Sequence, residues 1–138
     1  MILVDTSAWV EYDRSTGSPV DRRLSALIEG RAPVAVTEPI IMEMQAGARD
    51  DQRHELLRRL LLGFHLVPFD PVTDFDGAAL IYRRCRAAGI TPRGMLDCMI
   101  ATVAWRAKAT LLAQDADLDR VAGLIGIPLD RASWHGSN

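Results

Sequence analysis

Met1-Ile2-Leu3-Val4-Asp5-Thr6-Ser7 opens the chain with the signature of a buried parallel strand. Three aliphatic residues cut off by an aspartate are too short a run for a helix and suit a strand buried on both faces. Ser7 to Tyr12 then starts a helix capped by a hydroxyl. The same kind of apolar run recurs at Val34-Ala35-Val36 and at Thr110-Leu111-Leu112-Ala113, and Phe64 to Phe69 also has strand character. Between these runs the apolar spacing is helical. Val20, Leu24, Leu27 and Ile28 share one face; Thr37-Glu38-Pro39 opens a helix closed by Gly47; Leu56, Leu57, Leu60 and Leu61 mark a helix beginning near Asp50. Thr73 to Ala88, closed by Gly89, and Arg93 to Ala107 are the longest helical patterns, and a last helix covers Asp117 to Leu124. Strands separated by helices specify an α/β protein, a three-layer α/β/α domain with a mostly parallel central sheet.

With 138 residues, 49% of them hydrophobic and 25% charged, the chain has the composition of one globular domain. Its boundaries are read as 1–132, with a tail over 133–138. Sixteen Lys plus Arg against eighteen Asp plus Glu give a net charge of −2, which excludes a polybasic or acidic tail. The positive charge is almost wholly arginine, Lys108 being the single lysine. The apolar opening stops at Asp5, far short of a secretory core, so a cytoplasmic protein is expected. Leu60 to Leu62 and Met99 to Trp105 likewise fall short of the roughly 18 apolar residues of a membrane span, and no membrane association is expected. Cys85 and Cys98 lack C-x-x-C spacing and read as buried reduced thiols, and His54, His65 and His135 form no zinc pattern.

The carboxylates carry the chemistry. Ligands of an open parallel sheet sit beyond the carboxyl ends of its strands, where Asp5 and, after the Thr110 run, Asp115 and Asp117 fall. Singly, each reads as a helix cap. Glu43 and Asp97 are different, because both lie on apolar stripes: Glu43 beside Met44 and three residues after Ile40, Asp97 with Ile100, Ala101 and Ala104 at i+3, i+4 and i+7. A carboxylate on a buried stripe needs a partner. That partner is an arginine for Glu43, free amides of the helix start for Asp97, or a shared cation for the set. Converging acids repel and raise one another's pKa values unless a cation joins them. An all-oxygen site without His or Cys suits Mg²⁺ or Mn²⁺ rather than zinc, and two such ions could activate a water and stabilise the leaving oxygen of a phosphodiester.

In order along the chain, Ile2-Leu3-Val4-Asp5-Thr6-Ser7, Glu43-Met44-Gln45-Ala46-Gly47, Leu96-Asp97-Cys98-Met99-Ile100-Ala101 and Ala113-Gln114-Asp115-Ala116-Asp117-Leu118 resemble the four acidic motifs of PIN-domain nucleases. The compact length resembles the VapC toxins of bacterial toxin–antitoxin pairs. The resemblance implies a PIN-like fold, Mg²⁺ or Mn²⁺ dependence, and endoribonuclease activity on structured RNA such as tRNA or rRNA. It makes Asp5, Glu43, Asp97 and Asp115 the catalytic acids, with Asp5, Asp97 and Asp115 as metal ligands. Glu43 would hold a second metal or orient the attacking water, and Asp117 either assists or caps the last helix. Thr6 and Ser7 match hydroxyl positions that hold Asp5 or a water of the metal. Ala113 departs from the pattern, standing where the family often has threonine. The resemblance also implies a VapB-like antitoxin and a homodimer.

Setting aside the five site acids leaves 13 acidic against 16 basic side chains, a formal +3. Arg14 near the first motif and Arg93 before the third are the chosen substrate contacts, as bidentate donors to phosphate. Trp9 and Tyr12 belong to the core or to an exposed interface. Aspartyl-phosphate enzymes also place Asp after a parallel strand, but Ser7 stands where their phosphatases need a second Asp, and Lys108 precedes the strand it would have to follow. The remaining rival is a non-catalytic PIN-like binding module, which has no need of buried carboxylates.

Overall fold

A computed structural model describes residues 1–133 of the chain, in the element order β1 (Ile2–Val4), α1 (Thr6–Asp13), α2 (Pro19–Glu29), β2 (Val34–Val36), α3 (Glu38–Ala46), α4 (Asp51–Leu62), β3 (His65–Leu66), α5 (Asp74–Ala87), α6 (Met95–Arg106), β4 (Thr110–Leu112) and α7 (Ala116–Ile125). The four strands form one sheet in the order β3-β2-β1-β4, parallel throughout. Leu3 faces Ala35 on one side and Leu111 on the other, so the opening tripeptide is the central strand, and Leu3 and Val4 are fully buried. Parallel crossovers are right-handed. The chain steps outward from β1 to β2 to β3 and then returns across the sheet to β4, which puts α1 to α4 on one face and α5 with α6 on the other. The reversal makes the gap between the carboxyl ends of β1 and β4 the switch point of the sheet, the usual ligand crevice of such a fold.

Local chemistry departs from the sequence reading at several points. The N-cap of α1 is Asp5, not a hydroxyl: its carboxylate accepts the Ser7 amide, and the Ser7 hydroxyl donates to that same carboxylate. Thr37 makes no capping bond to α3, because its hydroxyl is buried without a partner among the described residues. β3 spans two residues instead of the six from Phe64 to Phe69, since Pro68 has no amide to give an edge strand. Ser133, assigned to the tail, is buried: its hydroxyl accepts from the Ala113 amide and donates to the Leu111 carbonyl. The remainder of that tail lies outside the described residues.

Trp9 is fully buried against Phe64 at 5.1 Å and Tyr12 at 5.9 Å between ring centroids, so it belongs to the core. Cys85 and Cys98 are buried and free, and burial pushes the Cys98 thiol up to about 11. Among the described residues no helix is long and apolar enough to cross a membrane.

Helices α5 and α6 meet closely enough that their spacing is set by Gly77. A β-carbon there would stand 2.2 Å from the Thr102 hydroxyl oxygen and 3.3 Å from its Cβ. Gly77→Ala is therefore expected to destabilise the domain by roughly 1–3 kcal/mol, as overpacking does. Thr102→Ala in the same chain, which removes the clashing oxygen, should restore part of the lost Tm, whereas Thr102→Ser should not. Additive losses in a double-mutant cycle would refute the contact. At the end of the pair remote from Gly94, Arg106 donates to both oxygens of Asp74, at 2.9 and 2.7 Å. Burial alone would raise the Asp74 pKa, but these bonds and the nearby charge hold it below the ordinary value.

Candidate active site

Four acidic side chains from four separate elements meet at the switch point. Asp5 follows β1 and is almost wholly buried. Its Oδ2 accepts from the Ser7 amide at 3.0 Å and the Ser7 hydroxyl at 2.6 Å, and its own amide donates to the Leu112 carbonyl of the adjacent strand. The Ser7 hydroxyl in turn accepts from the Gln114 amide at 2.8 Å, so one serine fixes the Asp5 carboxylate and ties the ends of β1 and β4 together. Glu43 reaches in from the middle of α3, half-buried, and its Oε1 accepts from the Thr6 hydroxyl at 2.7 Å. Of the two partners open for Glu43, an arginine or a shared cation, no arginine is hydrogen-bonded to it among the described residues; its bond is to the Thr6 hydroxyl.

Asp97 projects from the first turn of α6, whose N-cap is Gly94, and its carboxylate accepts no hydrogen bond from the described residues. Free amides at the helix start therefore do not satisfy it. Asp115 is the N-cap of α7: Oδ1 accepts from the Asp117 and Leu118 amides at 2.8 and 3.4 Å, and Oδ2 from Arg93 at 2.8 Å. Asp117 pairs with Arg93 at 2.6 Å and with Arg120, so it faces two guanidinium groups and does not cap the helix. Behind Asp115, where a threonine hydroxyl is often found in the resembling family, Ala113 presents only its amide to Ser133.

A cleft of about 350 Å³ is lined by Glu43, Arg93, Gly94, Leu96, Asp97 and Asp115. Its electrostatics are those of crowded like charges. Burial, chiefly, and then the charges of Glu43 and Asp115 raise the Asp5 pKa to about 6, against the Ser7 hydrogen bonds that lower it. Burial and the charges of Asp115, Asp5 and Glu43 raise Asp97 to about 7, with Arg93 pulling the other way. Two carboxylates whose pKa values are raised by burial and by neighbouring acids belong to a donor set that suits a hard divalent ion. As the side chains stand, no three His, Cys, Asp or Glu among the described residues close around one point. Both oxygens of Asp115 are engaged, by Arg93 and by the α7 amides.

Of the two arginines chosen for substrate contact, Arg93 thus sits among the acids, and Arg14 ends α1, exposed, beside a polar groove lined by Asp13, Arg49 and Arg53. Sequence reasoning missed Arg120 and the amide of Gln114. The first was legible in principle as an i, i+3 partner of Asp117, the second only once β1 and β4 were known to be neighbours.

The sequence pattern of the family described as "PIN domain" matches residues 2–124. The chain is 45% identical over 128 residues to ribonuclease VapC11 of Mycobacterium tuberculosis and to a VapC ribonuclease of Mycobacterium bovis, which covers 92% of this chain and 96% of theirs. Among solved structures it is similar to VapBC2 of Rickettsia felis bound to a DNA fragment from its promoter, with a TM-score of 0.74 at 17% identity over 97% of this chain and 99% of the other. FitAcB of Neisseria gonorrhoeae gives a TM-score of 0.71 at 21% identity, over 96% and 98% of the two chains.

Proposed function

The chain belongs to the PIN-domain family, and from that premise we propose that it is a divalent-metal-dependent endoribonuclease acting as the toxin of a VapBC-type pair. The observation that carries the reading is the meeting of Asp5, Glu43, Asp97 and Asp115 at one switch point, with Asp5 and Asp97 raised toward neutrality. A pure binding module would be destabilised by such a set and gain nothing from it. The relatives at 45% identity are named as ribonucleases, and VapC titles among the similar structures pair the toxin with an antitoxin.

Asp5, Asp97 and Asp115 would hold Mg²⁺ or Mn²⁺, which when bound supplies charge to activate a water and to stabilise the leaving oxygen. The chain's own residues do the rest. Ser7 holds the Asp5 carboxylate in one orientation, and Thr6 does the same for Glu43. Glu43, with no positive partner, accepts the proton of the attacking water. The water oxygen bonds to phosphorus as the bond to one ribose oxygen breaks, and that oxygen takes up a proton. Arg93, and Arg14 farther along α1, offer paired N–H donors to backbone phosphates. Target choice then comes from RNA shape and unpaired bases, with structured RNA such as tRNA or rRNA as the substrate class. We further take the working protein to be a cytoplasmic homodimer held inactive by a VapB-like antitoxin.

The test is incubation of purified protein with total tRNA and rRNA at low salt, with Mn²⁺, with Mg²⁺ and with EDTA. Discrete fragments should form with either metal and vanish with EDTA, and the sequences of their ends would define the cut. Absence of cleavage under every metal, with tight binding of a small protein partner retained, would favour the binding module.

A further inference from the structure

Arg93 is the basic side chain lining the acidic cleft, and one guanidinium there serves two acids: its terminal nitrogen meets Asp115 Oδ2 at 2.8 Å and its Nε meets Asp117 Oδ2 at 2.6 Å. The other Asp115 oxygen is held by the α7 amides. Both Asp115 oxygens are therefore engaged while Arg93 keeps its grip, and a cation would have to compete with the guanidinium for Oδ2. Resting on the reading of the site as a divalent-cation nuclease, we propose that Arg93 is a tethered counter-ion that competes with the metal for Asp115 and, once released, is delivered to the substrate phosphate.

Three features make the exchange feasible. The Arg93 side chain is 72% exposed, so releasing it uncovers no apolar surface and water receives the charge at once. It is followed by Gly94, in an extended conformation that any residue can adopt but with no side chain to pack the loop in place. Asp117 retains Arg120 as a second partner, so letting go of it strands no charge. Asp115 is the opposite case: its side chain is only 12% exposed, and an oxygen freed there needs a cation. A divalent ion held by Asp115, Asp97 and Asp5 would supply it. Arg93, left at the rim of the cleft, retains the planar fork that fits a phosphate. Arg93 is on this account a positioning residue toward the acids and a contact toward RNA.

The two roles move two readouts in opposite directions. Titration calorimetry with Mn²⁺, on the full chain without RNA, should show Arg93→Gln binding about 3- to 10-fold tighter than the wild type. KM for RNA should rise with the same substitution while kcat changes less. Arg93→Lys keeps the charge but can neither span both acids nor offer a paired fork to phosphate, and should bind Mn²⁺ more tightly than wild type with KM between those of wild type and Arg93→Gln. Mn²⁺ affinity that is unchanged or weaker in Arg93→Gln would overturn the proposal, since an arginine that merely positions Asp115 as a ligand predicts weakening. Should the variants fail to fold, the wild type decides: the Arg93 Nε–H resonance should move and exchange faster with water as Mg²⁺ saturates, and an unmoved resonance refutes the exchange. A wild type that binds neither Mn²⁺ nor Mg²⁺ refutes the metal-nuclease reading itself, whereas metal binding without tightening in Arg93→Gln refutes only the role given to Arg93.

Discussion

Asp97→Asn is expected to lower RNA cleavage by about three orders of magnitude or more, the effect of removing a charge from the proposed metal site. The amide has nearly the size of the carboxylate, so α6 should keep its place and the loss should reside in chemistry. The opposite sign is expected for stability without metal. Asp97 feels the charges of Asp115, Asp5 and Glu43, and its pKa is raised further than that of Asp5. Neutralising it relieves repulsion, so in EDTA at neutral pH the variant should melt at or above the wild-type temperature. Metal should then raise its Tm far less than it raises that of the wild type. Cleavage data and thermal melts with and without Mg²⁺ check all three statements, and a variant with full metal-induced stabilisation would remove Asp97 from the ligand set.

The second large effect is an inversion of the pH dependence of stability by metal. Asp5 and Asp97 have folded-state values of about 6 and about 7, against 3.8 in the unfolded chain. An acid raised in this way holds its proton better when folded, so its contribution is fully present below pH ~4 and is lost as pH rises through the folded value. For the buried Asp5 the loss is on the order of 3 kcal/mol; Asp97, more accessible to water, adds a smaller amount. Metal-free protein should therefore melt higher at pH 5 than at pH 8. Asp74, whose value is lowered, acts in the other direction, but only as pH falls below the ordinary carboxylate range. Saturating Mg²⁺ should abolish or reverse the order, because the deprotonated site is the one that binds it. Melting curves at the two pH values in EDTA and in Mg²⁺ suffice, and a metal-free Tm that climbs from pH 5 to pH 8 would show that the site acids do not dominate the balance.

Much of this arrangement was legible because the deciding signals are local. Ile2-Leu3-Val4 and Thr110-Leu111-Leu112 are short apolar runs that suit a doubly covered strand, with Asp5 directly after the first and Asp115 two residues beyond Ala113 after the second. Asp97 and Glu43 were conspicuous through the stripes on which they sit. What stayed hidden depends on pairs distant in sequence. The strand order β3-β2-β1-β4 follows from which edge a crossover returns to, and a crossover with the same composition could return to either. Arg93 and Asp115 are 22 residues apart, and no periodicity within either helix brings them together. Two readings of the α1 cap are open from the sequence, a hydroxyl or Asp5, and the structure settles on Asp5, with the Ser7 hydroxyl binding its carboxylate instead. Homodimerisation and the antitoxin have no local signature, and they entered through the resemblance alone.

The central strand is the first to be made, and its second neighbour is the last. β1 is complete at Val4, whereas β4 begins at Thr110 and is bedded on the segment that carries Leu129 and Ser133. Until that closing segment is synthesised, one edge of β1 stays open and Asp5 lacks the Leu112 carbonyl on which its backbone rests. Assembly of the acidic cleft is thereby coupled to the docking of β4 beside β1: the two strands that border it are the pair most distant in the chain, so the cleft exists only in a fully closed sheet.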